Sequence, residues 1–398
     1  MHLYVEKRRI TIWFYSLIVL FSSININPIS SFRHNMTLIG VLLTPYFLYR
    51  YIYKPSKPAL CLFGLFAVDA IFTILSGNMV FSVIYMFTQI ILFIIWNDLM
   101  CKEFPDLYLD ILSLFLSVVY LIQIITQIYD QGMWGIARSG SYINFTITDN
   151  YLGYYYVPFM MIIVVRSVYK HQRISLFTWA MCTLCLVSVM RTEATSCLLG
   201  VGFYLFSLIY SSVIRRKDRG STKKYFIAYL VAFILIVFVN VLNVFNNFLT
   251  TFLNHDATLA GRTNYMWPEA IAMILRRPLI AYGTQSGGKA MIIRISADFA
   301  LHAAHNYFLT MLIEAGVTGL LFFILMLISV GKNIDATRVE FGNNIVLSFI
   351  ISGLMALLMM FLTEGTLFDT LQYSTFFIAY YCYAFINQSN NEQSPRMG

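Results

Sequence analysis

Two arginines and a histidine in the second half of the chain are the first candidates for chemistry, because membrane topology alone does not require them where they stand. They are Arg191, Arg262 and His305. A guanidinium stays charged at all relevant pH values and binds phosphate through a planar, two-pronged fork. Histidine is the usual general base near neutral pH. These residue types predict a site that binds a phosphate or diphosphate and takes a proton from a hydroxyl.

Each of these residues also has a purely structural interpretation. Arg191 could extend its side chain to the membrane interface and pair with Glu193, two residues further on. Arg262 could belong to a positive loop that is merely attracted to anionic lipids. His305, followed by Asn306, could be a hydrogen-bonded histidine at the interface. The residue types alone leave these alternatives open.

A short helix, or a pair of helices, is predicted over residues 262–277. Trp267 stands before a proline and starts or kinks a turn, and a second proline at 278 ends the segment. Trp267, Ile271 and Ile274 recur at helical spacing. We therefore expect one apolar face of this helix to rest on the membrane surface.

The end of this predicted helix carries two further arginines, Arg276 and Arg277. They are weaker candidates for phosphate binding, because basic residues are also common at the C-terminal end of a helix. The glycine-rich stretch 282–288 that follows predicts a flexible loop.

Glu314 is a charged residue inside the apolar run that His305 opens. It lies about 13 Å from His305 along a straight helix, and about 100° per residue puts the two side chains on opposite faces. We therefore expect Glu314 to be a buried structural acid paired with another helix. Ala315 and Gly319 form a small-xxx-small pattern, to which Gly316 adds, and such patterns allow close helix packing.

The elements that must position these residues are membrane helices. Of the 398 residues, 59% are hydrophobic and 12% are charged, roughly half the charged share of a soluble chain. Because a span needs about 20 mostly apolar residues, we predict an all-α polytopic membrane protein, a single integral membrane domain over 1–398 with about 12 transmembrane helices. The predicted spans are 11–27, 36–52, 58–76, 79–97, 107–128, 151–169, 174–190, 194–214, 225–246, 305–330, 343–363 and 370–387.

The basic residues orient this predicted fold. Most of the 27 lysines and arginines fall in connections that are cytoplasmic if the N-terminus is cytoplasmic. We therefore predict a multi-pass protein of the cytoplasmic (inner) membrane, with both termini and the polar tail 388–398 inside. The longest polar stretch, 247–304, then becomes a large extracytoplasmic loop that contains short amphipathic helices.

The sequence does not indicate other ligands. The net charge of +8 does not point to nucleic acid, because the basic residues form short clusters between apolar runs. Most of the six cysteines lie within apolar segments, which fits helix packing. The loop 247–304 has no acidic pair with metal-ligand spacing, so we predict neither a metal nor a cofactor.

The run 305–320 resembles the signature segment of the bacterial O-antigen polymerase and O-antigen ligase superfamily, through His305, Asn306, Glu314, Gly316 and Gly319. Upstream, the Gly-Arg pair ending at 262 and its following tryptophan resemble the segment that precedes the signature. The Met-Arg-Thr run 190–192 resembles the family's earlier arginine at a span end. The detailed resemblance covers about 190–330, and the first half matches only as a series of spans.

This resemblance implies a metal-independent glycosyl transfer at the outer face of the membrane. Donor and acceptor would be polyprenyl-diphosphate-linked oligosaccharides. The family's essential residues carry over to Arg191 and Arg262, which would stabilise the diphosphate leaving group, and to His305, which would orient or deprotonate the acceptor hydroxyl. Further candidates for substrate binding are Arg276, Arg277, Asn306 and Glu193, and structural candidates are Glu314, Gly316 and Gly319.

Within the superfamily we favour a polymerase that makes O-antigen, capsular polysaccharide or exopolysaccharide, because polymerases are its commoner and more diverse members. The shared motifs do not separate a polymerase from a ligase, which transfers the glycan to a lipid A core. A lipid-linked oligosaccharide flippase or transporter is a further alternative, although no internal repeat is evident. Expected partners are membrane lipids and a chain-length regulator and flippase of the same pathway.

Overall fold

The computed structural model of the chain describes residues 2–130, 135, 143–146, 151–192, 194–214, 221–239, 262–284, 293–294, 300–301, 304–342, 344–363, 365 and 367–391. The α-helices in these ranges are α1 (His2–Ser23), α2 (Ser30–Arg50), α3 (Lys57–Leu75), α4 (Phe81–Glu103), α5 (Pro105–Tyr129), α6 (Leu152–His171), α7 (Leu176–Met190), α8 (Thr195–Ile214), α9 (Thr222–Val237), α10 (Trp267–Arg276), α11 (Tyr307–Glu314), α12 (Gly316–Phe341), α13 (Ile345–Phe361), α14 (Leu371–Tyr380) and α15 (Cys382–Asn391). Two short strands, β1 (Ile293–Arg294) and β2 (Ala300–Leu301), pair antiparallel.

Several helices begin at a residue whose side chain caps them. Ser56, Ser175, Ser221 and Asn344 each accept a hydrogen bond from a backbone N–H in the first turn of the helix that follows. The predicted tenth and twelfth spans are each broken into two helices, and the last helix extends four residues into the predicted polar tail.

Length and hydropathy identify six helices in the described ranges that can cross a membrane, namely α3, α4, α5, α6, α8 and α12. Helices α1 and α2 pass the same test as a pair that is bent by 103°. The bend lies at the polar break 25–28, where a proline follows Asn27. Helices α7 and α13 are apolar but shorter. A polytopic helical fold is therefore confirmed, and the number of twelve spans stays a prediction.

At one end of the bundle, called the inner end below, two aspartates join the connections that the predicted topology places in the cytoplasm. Asp98 accepts hydrogen bonds from the hydroxyls of Tyr53 and Tyr381, each at 2.8 Å. Asp110 accepts a hydrogen bond from Arg166 Nε at 2.7 Å. These contacts link α4 with the residue that follows α14, and α5 with α6.

At the opposite end of the bundle, called the outer end below, hydrogen bonds join the connections that the predicted topology places outside. Asn25 Nδ2 donates to the carbonyl of Thr146 at 2.8 Å, and Thr370 Oγ1 donates to the carbonyl of Ser23 at 2.9 Å. Alternating spans would group the connections in this way. Which end is extracytoplasmic remains a prediction.

Candidate functional site

His305 lies in the turn that starts α11 at the outer end. Its φ is 46°, in the left-handed region that residues other than glycine rarely adopt, and the residue is half-buried. Asn306 is extended and caps α11, because its Oδ1 accepts hydrogen bonds from the N–H groups of Phe308 and Leu309, each at 3.0 Å. The cap thus fixes the backbone directly after the strained residue.

The connector between α13 and α14, residues 362–370, presses against the same turn. Asn306 Nδ2 donates to the carbonyl of Leu362 at 2.7 Å. A Cβ at Gly365 would lie 2.6 Å from Tyr307 Cα, so the backbones approach too closely for any other residue. The ring of Tyr307 stacks on Phe361 with centroids 3.9 Å apart. The turn at His305 is therefore held by chain more than fifty residues further on.

Arg262 is half-buried and opens a single π-helical turn, Arg262–Met266, which runs into α10. Such turns are rare and occur frequently at functional sites. Trp267 is fully buried, and its Nε1 donates to the carbonyl of Ala304 at 3.1 Å. Because Ala304 directly precedes His305, this hydrogen bond joins the segment of Arg262 to the turn of His305.

Helix α10 is amphipathic as predicted, but the apolar face that was expected on the membrane surface is covered in part by another helix of the chain. Trp267 and Met273 are buried in a cluster with Leu309 and Ile313 of α11, and Ile271 packs at its edge. Helical spacing correctly identified the apolar face. It could not identify the covering partner, which is another helix of the chain.

Arg276 ends α10 and Arg277 follows it, and both are exposed. The guanidinium of Arg277 lies 4.9 Å from the centroid of the Tyr282 ring, in cation–π geometry. Tyr282 in turn donates its hydroxyl to the carbonyl of Met273 at 3.2 Å. Arg277 thus has a structural partner at the helix end, and a phosphate contact of either arginine stays a prediction.

Residues 278–284, called the inserted segment below, leave α10 and enter the bundle between α3 and α11. The N–H of Tyr282 donates to the carbonyl of Ile313 at 2.8 Å, and the N–H of Gly283 donates to that of Glu314 at 3.1 Å. A Cβ at Gly283 would lie 2.3 Å from the backbone nitrogen of Thr73. The expectation of a flexible loop was therefore wrong for 282–284, because glycine here permits close packing. Residues 285–288 lie outside the described residues.

Thr284 anchors the inserted segment to α3. Its N–H donates to Thr73 Oγ1 and its hydroxyl donates to Asp69 Oδ2, each at 2.8 Å. Thr73 donates to the carbonyl of Asp69 at 2.7 Å. All three residues are buried. Asp69, inside a span, is thereby satisfied by chain that follows it by more than two hundred residues.

The helix that His305 opens is not straight, contrary to the sequence-based expectation. Helix α11 ends at Glu314 and α12 starts at Gly316, whose φ is 65°. Glu314 Oε2 is buried with no hydrogen-bond partner among the described residues, and Glu314 interacts electrostatically with Asp69. Glu314 is half-buried and faces another helix, but the residue that it faces there is a second acid, not the pairing partner that was expected.

The small-residue pattern of α12 packs as predicted. A Cβ at Gly319 would lie 3.0 Å from Leu65 Cδ1 of α3 and 2.3 Å from Ala315 Cβ. Close approach of α12 to α3 brings the inserted segment within hydrogen-bonding distance of both.

Arg191 follows the last residue of α7 and is exposed, with its N–H bonded to the carbonyl of Ser188 at 3.2 Å. Helix α8 begins shortly after it, and there Cys197 packs beside Gly153 and Met360. Met360 stands two residues before the Leu362 carbonyl that binds Asn306. The end of α13 therefore lies between the turns of Arg191 and His305. Glu193 lies outside the described residues.

These observations define the class of protein: it is a multi-pass helical membrane protein, and its arginine and histidine candidates lie at one end of the bundle. Residues 180–324 match the family model described as O-antigen ligase. This match covers little more than a third of the chain and supports the predicted resemblance of this region to the superfamily of O-antigen ligases and polymerases. The matched region contains Arg191, Arg262 and His305. It supports glycosyl transfer involving lipid-linked glycans in general. No curated protein and no solved structure matches the chain.

Sequence reasoning assigned no role to two charged residues at the outer end. Arg33 in the first turn of α2 donates to the carbonyl of Ser22 and to the side chains of Asn25 and Gln89. Asp369 lies in the connector 362–370 and is buried. The available signal was an acidic residue directly before the last apolar run, where topology does not require one.

Proposed function

We propose that this protein polymerises polyprenyl-diphosphate-linked oligosaccharide repeat units into O-antigen, capsular polysaccharide or exopolysaccharide at the outer face of the bacterial cytoplasmic membrane. The observation that carries this proposal is the hydrogen bond from Trp267 Nε1 to the carbonyl of Ala304. It joins the segment of a phosphate-binding residue type, Arg262, to the turn of a base, His305. The family match supports the reaction class.

In the proposed reaction, an acceptor hydroxyl oxygen bonds to the anomeric carbon of the donor sugar. The bond between that carbon and the diphosphate oxygen breaks, and polyprenyl diphosphate leaves with the electron pair. His305 takes the hydroxyl proton. Arg191 and Arg262 supply fixed positive charge where negative charge develops on the leaving group. Neither a metal nor a cofactor forms part of this proposal.

The test is the length of the glycan in cells that carry His305→Ala, with protein abundance measured in parallel. Loss of a general base lowers a rate by about 10²–10⁴-fold, so we expect single repeat units to accumulate at normal protein levels. His171→Ala is the matched control, because His171 ends α6 at the inner end. Normal long chains from His305→Ala would show that the histidine is only an interfacial residue.

A ligase is the second candidate, because the matching family model is described as O-antigen ligase. The same experiment separates the two. Single units that still reach their final carrier in the His305→Ala cells exclude the ligase. Long chains that remain unattached identify it.

A further inference from the structure

An apolar groove of about 420 Å³ opens on the flank of the bundle between α2, α3 and α4. Its walls include Val41 and Pro45 of α2, Ala70 of α3, and Ile84, Phe87 and Ile91 of α4. Helices α3 and α4 are long and apolar enough to cross a membrane. The groove follows α4 for about 10 Å, at 1.5 Å per residue, and therefore lies at the depth of lipid chains.

The wall of this groove leads directly to a buried carboxylate. The ring of Phe87 packs edge-on against Phe368, with centroids 5.2 Å apart. The next residue is Asp369, which is only 9% exposed. One of its oxygens, Oδ1, accepts a hydrogen bond from the Tyr155 hydroxyl at 3.3 Å. The other, Oδ2, is buried and has no hydrogen-bond partner among the described residues.

Buried polar atoms in proteins are almost always hydrogen-bonded, so Oδ2 of Asp369, which has no partner among the described residues, is able to accept a further hydrogen bond. Arg33 lies close enough to interact electrostatically with Asp369. The Arg33 side chain donates hydrogen bonds to Ser22, Asn25 and Gln89. The carboxylate of Asp369 can therefore accept a hydrogen bond from a hydroxyl. It lies near Arg33, a cation that suits an anionic head group.

The same connector reaches the turn of His305. Leu362, at its start, accepts a hydrogen bond from Asn306, and Asp369, near its end, interacts electrostatically with Tyr307. The connector 362–370 therefore contacts the groove wall through Phe368 and the turn of His305 through Leu362, and it carries the buried carboxylate of Asp369. A molecule with a long chain, an anionic group and sugar hydroxyls matches all three.

We propose that the groove holds the isoprenoid chain of a second lipid-linked saccharide, and that Asp369 Oδ2 accepts a hydrogen bond from one of its sugar hydroxyls. This inference rests on the proposed function, because a polymerase joins two lipid-linked substrates whereas a ligase uses one. This second molecule would be distinct from the donor, whose diphosphate would lie at Arg191 and Arg262.

The first test fills the groove. Ala70→Phe places a ring in it, and Ile71→Phe is the matched control, because Ile71 is 53% exposed and does not line the groove. The measurement is native mass spectrometry of the purified full chain with a synthetic polyprenyl-diphosphate-linked disaccharide. We expect two bound molecules for the wild type and for Ile71→Phe, and one for Ala70→Phe.

Two outcomes of this test overturn the inference. One is equal stoichiometry for Ala70→Phe and Ile71→Phe. The other is that Ala70→Phe loses bound phosphatidylglycerol, added as a separate probe, but still binds the second disaccharide lipid. The groove would then be an ordinary phospholipid contact. If the wild type binds two molecules but makes no polymer, the proposed function fails and the second site stands.

The second test uses pH and does not depend on the fold of the groove variant. Burial raises the pKa of Asp369 to about 7, while Tyr155 and Arg33 act in the opposite direction. The ionised carboxylate is the better acceptor, so occupancy of the second site should rise about tenfold between pH 6 and 8. Asp369→Asn should lower this occupancy about tenfold at pH 8 and remove the pH dependence.

The other groups that interact electrostatically with Asp369 are Arg33, Tyr120, Tyr155, Tyr307 and Tyr373. Arginine and tyrosine do not ordinarily titrate between pH 6 and 8, so these groups should not produce the change. An unchanged pH profile in Asp369→Asn would overturn the assignment of Asp369.

Discussion

The turns at His305 and Arg191 both lie at the outer ends of apolar helices, yet the protein holds them in different ways. The turn at His305 has a left-handed residue and hydrogen bonds to partners 37 and 56 positions away. The turn at Arg191 continues α7, and the N–H groups of Arg191 and Thr192 bond to carbonyls within the preceding turn. The position of His305 should therefore depend directly on remote residues. The backbone of Arg191 is bonded within its own helix, which is tied to neighbouring helices through hydrogen bonds of Ser188 with Gln127 and Tyr156.

Asn306→Ala should have the largest effect on this difference. It removes the cap of α11, worth about 1 kcal/mol, and leaves the buried Leu362 carbonyl unpaired, at about 1–3 kcal/mol. We expect glycan polymerisation to fall by about two orders of magnitude or more, since 1.4 kcal/mol is tenfold. The measurement is polymer formed per unit of folded protein.

The matched control for this prediction is Asn344→Ala at the inner end. Asn344 caps α13 by accepting from the N–H of Val346 at 2.8 Å. Its loss should lower the midpoint of thermal unfolding while activity per folded molecule stays normal. Equal activity losses in the two variants would mean that the cap at Asn306 acts only through general stability.

Gly365→Ala should have the next largest effect. The added methyl would lie 2.6 Å from Tyr307 Cα, so the connector or the turn must move. We expect about a tenfold loss of polymerisation, because displacement of a catalytic group by about 1 Å can lower a rate by up to 10²-fold. Gly202→Ala is the control, since its methyl would meet nothing within 4 Å. Wild-type glycan length in Gly365→Ala would show that the connector 362–370 does not help to position the site.

Trp267→Phe tests the link between Arg262 and His305 with a smaller change. It keeps most of the buried ring and deletes the hydrogen bond to the Ala304 carbonyl, worth about 0.5–1.5 kcal/mol. We expect a loss of about threefold to tenfold in the rate at saturating substrate. Trp96→Phe, which deletes a buried hydrogen bond to Ser16 elsewhere in the bundle, is the control. A greater loss in the control would argue against a special role for this link.

Thr192→Val should have the smallest effect, because the hydrogen bond that it removes lies within a single turn at the end of α7. It removes a hydrogen bond from Thr192 Oγ1 to the carbonyl of Val189, 2.8 Å long and within the same turn. We expect a change in polymerisation of about twofold or less. A loss as large as that of Trp267→Phe would show that the site depends on this local hydrogen bond as strongly as on the remote link at Trp267.

The sequence was sufficient for features that depend on local composition. Runs of apolar residues located the membrane helices, and the spacing of Trp267, Ile271 and Ile274 identified the apolar face of α10. The small residues of α12 indicated close packing, and Gly319 indeed packs against Leu65. Short motifs indicated the superfamily, which the family model matched over residues 180–324 supports.

Features that depend on partners far along the chain could not be obtained in this way. Nothing near Ala304 indicates that Trp267 binds its carbonyl, and nothing near Asp69 indicates that Thr284 will satisfy it. The break after Glu314 was missed because an apolar run predicts one helix. Gly283 indicated a flexible loop, although glycine also permits two backbones to approach closely. Tertiary packing decides such cases.

The hydrogen bond between Asp69 and Thr284 also has a consequence for biogenesis. The two residues are 215 positions apart, so at about 5–20 residues per second the ribosome makes Thr284 roughly 10–40 s after Asp69. During that interval α3 must hold a carboxyl in the bilayer without its final partner, which is unfavourable by about 2.5–3.5 kcal/mol on insertion scales. Nascent chains that end before the inserted segment should therefore keep α3 accessible to quality-control proteases. Synthesis and packing of the inserted segment would then be the step that stabilises α3, and with it the first half of the protein, in the membrane.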